Sequence, residues 1–132
     1  MNYSNDIILL CKKAIFHLKK AEEYFEKSKR LGLLDIFSKG IVMSIIKNSK
    51  IEKANDELLE LRSYVDELRG IISKNNLEIK NFDVENLNYN LEIFFNNIIS
   101  NSIIQNKIEN KIEDIKLLTL KFEEIIFLIK NK

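Results

Sequence analysis

Apolar residues recur along this chain at alternating spacings of three and four, in four separate runs, and no proline interrupts any of them. That spacing gathers apolar side chains into one stripe along an α-helix. With no proline and only three glycines among 132 residues, little in the sequence would stop a helix once it has started. The pattern therefore demands helices packed stripe against stripe, and the fold class is all-α.

The first stripe is Ile7, Cys11, Ala14, Leu18, Ala21, Phe25 and Ser28, on a helix spanning about residues 4 to 31. It mixes small with large residues, so a neighbouring helix can approach closely. Ser4 or Asn5 suits its N-cap, and Asp6 complements the helix dipole. The second stripe is Ile51, Ala54, Leu58, Leu61, Val65, Leu68 and Ile72. A third helix, capped by Asn81 or Asp83, carries Val84, Leu87, Leu91, Phe94 and Ile98 and ends before a break near Asn101. The fourth carries Ile104, Ile108, Ile112, Ile115, Leu118, Phe122, Ile125 and Ile129.

Between the first two stripes Gly32 can end helix one and Gly40 can turn the chain, with helix two starting as early as Gly40. The expected architecture is an antiparallel four-helix bundle, one domain over residues 1–132, with a short elbow or helical turn at 32–46 covering one end. The elbow is rich in apolar residues: Leu33, Leu34, Ile36, Phe37, Ile41, Val42, Ile45 and Ile46 form its candidate interaction surface.

Twenty-one Lys and Arg against 20 Asp and Glu leave a formal charge of +1, which gives no drive toward nucleic acid. The charge is unevenly placed, with seven basic and four acidic residues in 2–31 but three basic and six acidic in 51–72. The plain reading is two complementary neighbouring helices; the other is a basic docking face for an acidic partner. The apolar runs are far shorter than the roughly 18–20 residues a transmembrane helix needs, so no span is expected. The elbow lacks the dense Lys and Arg face of a membrane-surface helix, which favours packing on the bundle end or another subunit over peripheral membrane contact. A lone cysteine and no signal-like N-terminus lead to an expected cytoplasmic location.

The residues that could do chemistry are few. Cys11 would need a base, and the only histidine, His17, is six residues away, about 120° around the same helix and about 9 Å along it. Cys11 is read as a small core residue and His17 as a surface or boundary residue. No Glu-x-x-His pair exists for a bundle metal centre, the acidic clusters interleave with lysines, and the glycines are too far apart for a phosphate loop. No catalytic, metal or cofactor residue is assigned from the sequence, and the expectation is a protein that is not an enzyme.

One stretch resembles a known pattern. Gly32-Leu33-Leu34-Asp35, then Gly40 and Ser44, then Lys47-Asn48-Ser49-Lys50-Ile51-Glu52-Lys53-Ala54 is similar to the signature of a family of small, uncharacterised all-helical proteins from low-GC Gram-positive bacteria. In that signature a Gly-x-x-Asp precedes a glycine-rich turn and a Lys-His-Ser-x-Ile-Asp-x-Ala run. Asn48 stands where the pattern has histidine, so no role of that histidine carries over. The resemblance implies a helical fold and leaves function open.

These readings lead to a non-catalytic interaction or accessory module that binds a protein partner or a second copy of itself. Two other classes stay open: a small-ligand or lipid sensor with a pocket between helices at the small residues of helix one, and an immunity-like bundle at a membrane surface.

Overall fold

The computed structural model describes residues 3–38, 41–99 and 105–131, with no side chain described at 33–38, 41–45 or 105. Four helices follow in chain order: α1 Ser4–Ser38, α2 Ile41–Lys74, α3 Val84–Asn96 and α4 Gln105–Lys130. They form an all-helical four-helix bundle, without strands among the described residues.

The separate elbow expected at 32–46 gives way to two longer helices. α1 runs through Gly32 to Ser38 and α2 begins at Ile41. Glycine ends a helix only by turning left-handed, and no described glycine has positive φ. Inside a helix it costs only about 1 kcal/mol relative to alanine, which cooperative propagation on both sides absorbs. Gly40 itself lies outside the described residues.

Each stripe is the buried face of its helix. Every residue named for the first and second stripes is at most 8% exposed, as are Leu87, Leu91 and Phe94 of α3 and Ile108 through Ile129 of α4. Val84, at the first position of α3, and Ile98, beyond its end at Asn96 and short of the expected break, are only half-buried. Ile104 lies outside the described residues.

Cross-helix bonds give the pairing. Ser28 Oγ donates to the Lys47 carbonyl and His17 Nδ1 meets Glu57, so α1 and α2 are antiparallel. Arg69 reaches Glu92, and Asn55 donates to the Ile99 carbonyl just beyond α3, so α2 and α3 are antiparallel as well. Lys111 bonds Phe94 and Asn97 while Lys121 bonds Asn86, which sets α4 against α3 in the same sense. The α1–α2 register puts Ala21 level with Ala54 and Ala14 level with Leu61. Cys11, Ala14, Ala21 and Ser28 are all buried. These small residues bring α1 close enough for the Ser28 hydroxyl to reach the α2 backbone.

The link from α2 to α3 is built on two asparagines with positive φ, Asn76 at 49° and Asn81 at 67°. Asparagine tolerates the left-handed region better than most residues. Asn76 N–H donates to Ser73 O and Leu77 N–H to Ile72 O, the paired bonds of a Schellman stop for α2. Ile79 anchors the link in the core, and Asp83 then caps α3 by accepting from the Asn86 amide at 2.9 Å.

Gly70 lies within α2, and a Cβ there would meet nothing within 4 Å. Gly70→Ala should therefore stabilise the protein by about 0.5–1 kcal/mol, from helix propensity alone, measured as a higher urea midpoint with an unchanged m value.

Candidate functional site

The residues singled out at 32–46 provide no described surface. Leu33, Leu34, Ile36 and Phe37 fall in the last turns of α1, and Ile41, Val42 and Ile45 in the first turns of α2, but their side chains lie outside the described set. Ile46 alone is described, and it is 37% exposed.

Leu9 and Phe16 on α1 and Leu59 on α2 are exposed apolar residues, and a larger set lies on α3 and α4. Tyr89, Ile93, Leu117, Leu120 and Phe127 are each at least 43% exposed. Two of them wall a groove of about 150 Å³ between the helices, with Ile93 on one side, Leu117 on the other, and Phe94 and Leu118 among its lining. The groove exists because α3 and α4 are joined by long side chains. Lys121 spans to Asn86 at one level and Lys111 to the end of α3 at another. Leu117, Leu120 and Phe127 recur at helical spacing on the α4 face away from the core stripe. These off-stripe apolar residues were visible in the sequence, and a search for apolar positions outside each stripe would have found them.

Lys111 is a buried charge that no sequence pattern announced. It is 3% exposed, donates to the Phe94 and Asn97 carbonyls at 2.8 and 2.9 Å, and lies 4.0 Å from the centre of the Phe94 ring. A cation there complements the negative end of α3 and satisfies carbonyls the helix leaves open. Burial lowers its pKa to about 8, with Asp114 pulling the other way. The sign of the pH effect follows. Between about pH 8 and 10.5 the unfolded lysine still holds a proton that the folded one has released, so folding stability gains with rising pH through that window. Urea denaturation at pH 7, 8.5 and 10 should show wild-type stability rising relative to Lys111→Met, with the difference levelling off below pH 8. Lys111 also borders a polar cleft of about 400 Å³, with Asn96, Asn97, Lys107, Asn110 and Asp114 around it.

Cys11 lies in the core, and burial pushes its thiol up to about 12, so it is neither thiolate nor accessible near neutral pH. His17 is more enclosed than the boundary position expected for it, at 8% exposed. The reason is a set of contacts from both α1 and α2. Tyr64 stacks on the imidazole at 5.4 Å, Phe16 meets it edge-on at 5.2 Å, and Glu57 lies 2.6 Å from Nδ1. Cys11, Ala14, Ala21 and Ser28 line neither the α3–α4 groove nor the polar cleft beside Lys111, and all four are buried. Among the described residues no helix is long and apolar enough to cross a membrane.

Compared with known proteins, the chain matches no protein-family model, no curated protein and no solved structure.

Proposed function

We propose that this protein is a non-catalytic interaction module that pairs with a second copy of itself through the outward face of α4, with α3 at its side. The observation that carries this reading is the groove walled by Ile93 and Leu117, with exposed Leu120 three residues farther along α4. Apolar side chains gathered across two helices and opened to water favour association.

A second copy suits the face because its charges are self-complementary. Lys116 and Glu124 flank Leu120 at equal distance in sequence. When two copies of α4 meet antiparallel about Leu120, each Lys116 faces the other copy's Glu124, as an isologous two-fold contact requires. Such a pairing needs no catalytic group.

Light scattering over a concentration series tests the reading. The wild type should run as a dimer, and Leu117→Lys with Leu120→Lys should run as a monomer with unchanged helicity. Lys116→Glu should weaken the dimer, and adding Glu124→Lys should restore it. A wild type that stays monomeric up to millimolar concentration would overturn the self-pairing.

A further inference from the structure

Outside the α3–α4 face, one cluster gathers metal-ligating atoms from two helices. His17 on α1 points its Nδ1 at Glu57 and Glu60 on α2, with the carboxylate oxygens 2.6 and 3.5 Å away. All three ligand atoms lie within 4.8 Å of one another. We propose that His17, Glu57 and Glu60 form a mononuclear site for a divalent transition metal, of which Zn²⁺ is the test case.

The cluster contains more acceptors than donors. A neutral imidazole offers at most one hydrogen at Nδ1. Glu57 takes the close position, and among the described residues His17 is the one group within reach of the Glu60 carboxylate. Two carboxylates on adjacent turns of one helix thus converge on a single nitrogen, where like charges repel. The nearest cation is Lys20, whose Nζ is 3.9 Å from the other Glu57 oxygen. It is 46% exposed and also lies over the Phe16 ring, so it can leave without opening the core. A divalent ion between the three atoms would satisfy both carboxylates and the nitrogen together.

The geometry needs modest adjustment, with the three ligand atoms now within 4.8 Å of one another. Metal–ligand distances of about 2.0–2.1 Å in a tetrahedral site place the ligand atoms about 3.3–3.4 Å apart. The His17–Glu60 separation is already near this, and the His17–Glu57 separation must open by about 0.7 Å, within reach of a glutamate side-chain rotation. The imidazole needs no search for its orientation, because the Tyr64 stack and the Phe16 edge contact hold its plane. Preset ligands lower the ordering cost of binding. One nitrogen and two carboxylate oxygens suit zinc and its neighbours better than calcium, which takes six or more oxygens. Glu60 is 67% exposed, so the fourth position faces water and the ion has a way in. The ligands lie on two helices, so a search for spacing motifs along one helix cannot find them.

Isothermal titration of the untagged protein with ZnCl₂ and absorption of its Co²⁺ complex test the site. One equivalent per chain is expected to bind, with the intense visible bands of tetrahedral Co²⁺. Glu60→Gln, exposed enough to leave the fold intact, should weaken binding more than tenfold, and His17→Gln should abolish it. Glu123→Gln on the outer face of α4 should change nothing. If the wild type shows no saturable binding up to 1 mM, or if Glu60→Gln binds as tightly as the wild type with its circular dichroism unchanged, the site is refuted.

Discussion

Replacing Phe122 by alanine is expected to cost about 3–5 kcal/mol, the range for removing a buried aromatic ring. Phe122 is fully buried in the middle of α4, a helix whose closest packing is against α1. Truncation leaves a cavity flanked by Leu118 and Ile125 of the same stripe, and both α4 and α1 would have to shift to close it. Phe127 supplies the control. It is on the same helix and of the same chemistry, but 62% exposed, so Phe127→Ala should change stability by less than about 0.5 kcal/mol. Urea unfolding of the two variants decides the matter, since equal losses would mean that α4 does not present the buried face described. Leu118→Ala should fall between them, near the low end of the 2–5 kcal/mol typical of leucine truncation. Leu118 lines the α3–α4 groove, and removing its side chain enlarges a space already open to solvent.

Leu61→Ala should cost about 2–5 kcal/mol, toward the upper part of that range. Leu61 is fully buried on α2, at the level where α1 presents Ala14. A large residue opposite a small one fills the interhelical space; two alanines at one level leave it empty. The helices cannot close the gap locally. On one side of that level the imidazole of His17 is bonded to Glu57, and farther along Ser28 is bonded to the Lys47 carbonyl. Exposed Leu59, two residues away, is the matched control for unfolding measurements.

The stripes were legible because burial on a helix follows the angle at which a side chain leaves it, and spacing encodes that angle directly. The run from Ile7 to Ser28 and the run from Ile51 to Ile72 went into the core residue for residue. Asp83 was likewise readable as a cap, since its carboxylate needs only the amide three residues on. Helix ends without proline were less so. Gly32 looks like a stop in sequence, yet nothing local forces it left-handed, and the chain continues to Ser38. Buried Lys111 breaks the expectation that lysine faces water. Its cost is offset by two carbonyls at the end of α3, residues 14 and 17 positions away, which no local pattern could supply.

By itself the sequence determined that this protein is helical and which face of each helix is apolar. Tertiary structure decided which helices meet and at what level. That choice joined His17 to Glu57 and Glu60, set Lys111 under the end of α3, and opened the groove between Ile93 and Leu117. The physical reason is that periodicity fixes direction around one helix axis. The partner across the interface, and its height along the bundle, depend on how large and small side chains from two helices fill a shared space.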